Sequence, residues 1–121
     1  YAEVAEQLAR RFPRLRAVAF TQRGSISASE NTWSGVLWTP DTFVVARTWR
    51  IAPIVDRVGA GDAFAAGLIA ALTDGLGPDA AIEFAVAAGC LKHSLRGDVN
   101  LVSRAEVEAL AGGSGAGRVE R

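Results

Sequence analysis

Val4, Leu8 and Phe12 recur at every fourth position, a spacing that lines one face of a helix over residues 1–11, and Pro13 ends it because proline cannot continue the hydrogen-bond ladder. From Leu15 to Phe20 the chain becomes a short apolar run suited to a strand, followed by a polar turn at Thr21-Gln22-Arg23-Gly24-Ser25. Residues 26–28 and 35–38 then suggest a β-hairpin that reverses across Ser29-Glu30-Asn31. Pro40-Asp41 turns the chain again, and residues 42–46 and 51–55 read as two more strands.

The second half has a different texture. Residues 63–72 are dense in Ala and Leu, the make-up of a buried helix, and Gly75-Leu76-Gly77-Pro78 separates it from a second helix that runs to about Ser94. Pro78 lies in the first turn of that helix, where its missing N–H is one the helix would leave unpaired anyway. Arg96-Gly97-Asp98 is a loop, and Ser103 with Glu106 three residues on has capping-box spacing, which predicts a short helix to about Ala111. Residues 112–121 read as a flexible tail, leaving 1–111 as the folded part. With no internal repeat, the mixture of strands and helices predicts a layered α/β domain.

Composition narrows the functional classes. Of the 121 residues, 13 are basic and 13 acidic, so no net field draws the chain to nucleic acid or to an anionic membrane. No apolar run approaches the roughly 20 residues that span a bilayer. Cys90 is the single cysteine, which excludes an intrachain disulfide and suits a reducing, cytoplasmic setting. The chain contains no Met and starts inside a helical pattern, so it reads as the C-terminal part of a longer protein.

The chemistry concentrates where the strand pattern gives way to the first Ala-rich helix, at Asp56-Arg57-Val58-Gly59-Ala60-Gly61-Asp62-Ala63-Phe64. Glycines at such a joint let a ligand approach the backbone closely, and the first N–H groups of a helix lack intrahelical partners and favour an anion. Two familiar phosphate motifs are excluded by residue. A Walker A loop needs Lys after its last glycine, where this chain has Asp62, and a dinucleotide fingerprint needs a third glycine where it has Phe64. Asp62 alone could simply cap the helix.

The longer run Asp56 to Gly67 resembles the C-terminal signature of the ribokinase-like (PfkB) carbohydrate kinases. That resemblance implies the C-terminal part of a three-layer α/β/α fold. It implies an anion hole built from the backbone of Gly59, Ala60, Gly61 and Asp62, with Asp62 as catalytic base. Asp56 falls where the family organises cations and Mg2+-bound water, and Arg57 stands where the family usually has Thr. The Thr21, Arg23, Gly24 and Ser25 turn matches the segment that meets ATP, although its second glycine is replaced. Ser27 to Gly35, Cys90 to Ser94, Gly97 to Ser103 and Gly115 to Val119 look like one branch, the 2-keto-3-deoxygluconate kinases. By that likeness Asp98 contacts substrate, residues 82–91 wall the adenine pocket, and the reaction converts ATP and the sugar acid to ADP and the 6-phosphate with Mg2+. Another sugar kinase, such as a fructokinase or ribokinase, and a binding module without catalysis are the alternatives. The resemblance also implies a homo-oligomer for the full-length protein and no activity for this chain alone, because the residues that read the sugar and the lid lie upstream.

The remaining candidates have plainer readings. His93 and Lys92 sit at a helix C-terminus, which favours a positive charge, and Lys92 reads as a solvated helix end or a phosphate contact. Cys90 reads as a small buried hydrophobe, and Trp33, Trp38 and Trp49 as strand packing.

Overall fold

A helix and a hairpin open the chain in a computed structural model that describes residues 1–113 and 118–119. The elements are α1 (Ala2–Arg11), β1 (Val18–Ser27), β2 (Glu30–Trp38), β3 (Phe43–Val45), β4 (Trp49–Ile51), α2 (Ala60–Thr73), α3 (Pro78–Lys92), α4 (Arg104–Gly112) and β5 (Arg118–Val119). This is the α/β architecture the pattern predicts.

The sheet is organised around β2. Along one edge it pairs antiparallel with β1 from Val18↔Trp38 to Ser27↔Glu30, with a bulge between Ser25 and Ser27. Its other edge is divided: Val36 to Trp38 pair with β3, and Asn31 to Trp33 pair with β4, both antiparallel. Ala46 N–H donates to Gly35 O at 2.9 Å and bridges the gap between the two. β5 lies parallel to β4, with Arg50 opposite Arg118 and Ile51 opposite Val119.

Packing explains this arrangement. α2 and α3 are apolar on almost every side, and their mutual contact is the most extensive between helices. A Cβ on Gly67 of α2 would lie 3.0 Å from the Ala88 Cβ and 3.2 Å from the Ala85 Cα of α3, so the two backbones pass at the distance small residues allow. β2 then packs on α3 through Trp33, whose indole lies against Gly89 and donates to Val86 O at 3.2 Å. Its ring meets Phe64 edge-on at 6.4 Å. Leu37, Trp49, Ile51, Ile82 and Phe84 fill the same core. α4 closes it with Val107, its start held by the capping box in which Glu106 N–H donates to Ser103 Oγ and Ser103 N–H to Glu106 Oε2.

Four expectations change. Thr21 to Ser25 is not a turn but the middle of β1, paired residue for residue with Gly35 to Asn31. Cross-strand pairing overrides local turn preference here, and the polar side chains suit a strand whose outer parts stay exposed. The hairpin reverses at Ala28-Ser29, slightly earlier than the sequence suggests. The strand before the glycine joint ends at Ile51 rather than at residue 55. Pro53 has no N–H to offer a ladder, and Ile54 N–H goes to Ser29 O instead. In the stretch read as a tail, Gly112 closes α4 and Arg118–Val119 join the sheet; residues 114–117 and 120–121 lie outside the described residues. α1 forms where its periodicity predicts, yet Val4 and Phe12 are exposed, and Ala5 is its buried residue.

The Gly89 contact is a sensitive point. A Cβ there would stand 2.7 to 2.9 Å from three atoms of the Trp33 indole, which is pinned on its far sides by Phe64 and His93. Gly89→Ala is expected to destabilise the fold by about 1–3 kcal/mol, measured as a lower denaturation midpoint; an unchanged midpoint would show that the indole can yield.

Candidate active site at the glycine joint

Gly59 begins the site. Its φ is +81°, in the left-handed region, and a Cβ would fall 2.6 Å from Asp98 O, so both backbone shape and space require glycine. The first α-helical bond is Ala63 N–H to Gly59 O at 2.9 Å, while Ala60 N–H makes only a long 3.4 Å contact to Arg57 O. The amides of Gly61 and Asp62 therefore stand ahead of that bond, at the positive end of the α2 dipole. Among the described residues no side chain caps the helix. A Cβ added to Gly61 would meet nothing within 4 Å, so there is space beside that glycine.

The joint is held from behind by the end of α3. His93 O accepts from Val55 N–H at 2.9 Å and from Asp56 N–H at 3.2 Å. The Asp56 carboxylate accepts from Val58 N–H at 3.0 Å and from Gly97 N–H at 2.9 Å, tying the joint to the loop after α3. Those two N–H donors, with a smaller contribution from the Lys92 ammonium, hold Asp56 below the usual carboxylate range. Arg57 reaches across to the hairpin tip and donates to Ala28 O at 2.8 Å.

Thr21, Arg23, Trp33, Arg57, Ala60, Gly61 and His93 surround a cavity of about 400 Å³. The strand conformation of β1 thus carries Thr21 and Arg23 to the glycine joint, which the sequence assigned to a turn. Gly24 faces a neighbouring depression with Tyr1, Gln22 and Thr48, and Ser25 lies further along the exposed strand. Asp62 is exposed in the first turn of α2, and its carboxylate has no partner among the described residues. Asp98 contributes its carbonyl to the wall behind Gly59.

Two residues at the end of α3 differ from expectation. Lys92 is fully buried, not a solvated helix end, and its Nζ donates to Leu95 O at 3.2 Å. His93 is also fully buried, with Nδ1 2.7 Å from Gly89 O and its ring edge-on to Trp33 at 5.1 Å. A carbonyl only accepts, so Nδ1 carries the hydrogen. Burial outweighs this bond and the helix end, and lowers the imidazole pKa below 6.5. Cys90 is buried as expected, and burial pushes its thiol up. Trp33 and Trp49 are core residues. Sequence reasoning passed over Arg57 as a brace; its only signal was a long cation where the related signature has Thr.

The structure is an α/β layer whose α2 starts without a side-chain cap among the described residues, beside a cavity that Arg23 and Arg57 border. Residues 34–105 match the pfkB family of carbohydrate kinases, and the chain belongs to that family. The 2-dehydro-3-deoxygluconokinase of Thermotoga maritima is 42% identical and superimposes with a TM-score of 0.88, over 93% of this chain and 34% of that one. A PfkB family carbohydrate kinase from Listeria grayi is 35% identical with a TM-score of 0.84, over 88% of this chain and 33% of its own. The chain therefore spans about a third of the length of these kinases. No curated protein matches it.

The two glycines should respond differently to substitution. Gly61→Leu is expected to leave the melting temperature nearly unchanged while abolishing anion binding at the joint, whereas Gly59→Ala lowers the melting temperature; equal phosphate affinity in Gly61→Leu and the parent, by calorimetry, would count against the anion site. The buried imidazole sets a pH dependence. Its folded pKa lies below the unfolded value of 6.5, so the unfolded chain binds the proton more readily and stability falls as pH drops below that value. His93→Gln is expected to flatten this acid limb in denaturation curves, and an unaltered limb would assign it to other groups.

Proposed function

We propose that the protein carrying this chain phosphorylates 2-keto-3-deoxygluconate with ATP, giving the 6-phosphate and ADP. The observation that supports the reading is the exposed Asp62 carboxylate, without a partner among the described residues, next to Gly61, beside which there is open space. The family assignment supports a sugar kinase, and 42% identity to the Thermotoga maritima enzyme over 93% of this chain supports the sugar acid. Fructokinase and ribokinase activities are the alternatives within the family.

In this reading the sugar 6-hydroxyl attacks the γ-phosphorus of ATP, the bond to the bridging oxygen of ADP breaks, and the hydroxyl proton passes to Asp62. The transition state is loose, with charge spread over the equatorial oxygens, so the amides of Gly59 to Asp62 supply stabilisation and Asp62 chiefly orients the hydroxyl. Thr21 and Arg23 face the phosphates across the cavity, and Asp98 contacts substrate at its rim. A pure binding module has no use for a free carboxylate at this point.

Mg2+ would neutralise charge on the phosphates. It usually keeps several waters and one or two carboxylates, which fits Asp56 acting through water, since each of its oxygens already accepts one backbone N–H. The reading is completed by residues 1–111 as the catalytic C-terminal part of the kinase domain, a cytoplasmic setting, and a homo-oligomer.

Asp62→Asn in the full-length protein is expected to lower kcat by about 10²–10⁴-fold with ATP affinity preserved. Coupled ADP release against a panel of sugars and sugar acids measures this, and turnover close to the parent's would exclude Asp62 as the base.

A further inference from the structure

Lys92 is the last residue of α3, a position from which lysine normally extends its ammonium into water. Here its exposure is 0%. Its Cε lies 3.3 Å from the point a Cβ on Gly59 would occupy, and the Asp98 carbonyl oxygen lies 2.6 Å from the same point. Its Nζ donates to Leu95 O at 3.2 Å. The ammonium thus sits between the glycine joint and the loop 95–98, close enough to Asp56 for its charge to act on that carboxylate.

Burying an ammonium costs several kcal/mol, and a Met would fill the same channel without that cost. Packing alone therefore gives no reason for a lysine. Charge does: the α2 amides face the place where phosphoryl negative charge develops, and a cation in a low-dielectric wall behind them acts with little screening.

We propose that the Lys92 ammonium is a built-in cation of the glycine joint, a positioning residue that holds the 95–98 loop against Gly59 and adds fixed positive charge behind the anion-binding amides. This assignment rests on the phosphoryl-transfer reading of the joint.

The test uses the full-length protein. Lys92→Met keeps the length of the side chain and removes its charge. It is expected to melt at or above the parent's temperature, while kcat at saturating sugar falls on the order of tenfold or more and KM for sugar changes little. Lys92→Ala is expected to regain turnover in methylammonium chloride but not in tetramethylammonium chloride, which carries the same charge and is too large for the channel. A Lys92→Met kcat within about twofold of the parent's, or an equal response of Lys92→Ala to both salts, overturns the proposal. If neither variant folds without methylammonium, Lys92 is structural and the proposal fails too. Should the parent itself phosphorylate no sugar, the kinase reading fails separately. ADP affinity by calorimetry then decides: weaker binding in Lys92→Met supports the built-in cation, and equal binding overturns it.

Discussion

The carbonyl of His93 is the constraint on which the site depends. It receives the N–H groups of Val55 and Asp56, so the chain leaving the sheet is delivered to the start of α2 by the end of α3. That bond has value only if His93 itself is fixed. Its ring is fixed by the Nδ1–H bond to Gly89 O and by the edge of Trp33. Trp33 is held in turn by its bond to Val86 O and by the absence of a side chain on Gly89. A single path of contacts therefore runs from the middle of the sheet, through α3, to the amides above Gly61.

Along this path close approach matters more than the amount of apolar surface. α2 and α3 meet at Gly67, Ala85 and Ala88, which bury little area each but let backbones pass closely. Interiors are packed too tightly to absorb an extra methylene without strain. The same tightness appears at the joint, where Asp98 O and Lys92 Cε leave no room for a side chain on Gly59. Gly61, two residues on, touches nothing on that side. One glycine is demanded by the protein, and the other leaves room for something outside it.

The electrostatic design follows the geometry. Asp56 is satisfied by the backbone N–H groups of Val58 and Gly97, whereas Asp62 is exposed and satisfied by none among the described residues. The two carboxylates of one short motif thus differ: one fastens the turn, and the other has no partner among the described residues. Arg23 and Arg57 border the same cavity, but Arg57 is partly spent on the hairpin tip at Ala28.

The amino-acid sequence by itself determined the helices, the capping box at Ser103 and the glycine joint, because each depends on residues near one another along the chain: periodicity, a cap three residues from its partner, a left-handed turn that wants Gly59. It also carried the family resemblance, since the signature is a continuous run. Only the tertiary structure decided the rest. Thr21 to Ser25 became strand because β2 lay alongside to pair with it, which no local preference can report. Lys92 went inside against the 95–98 loop, and His93 against Trp33 of β2, so an apparently solvated helix end became part of the wall of the site. Burial is set by what packs against a residue from elsewhere in the chain, and spacing along the sequence does not contain that information.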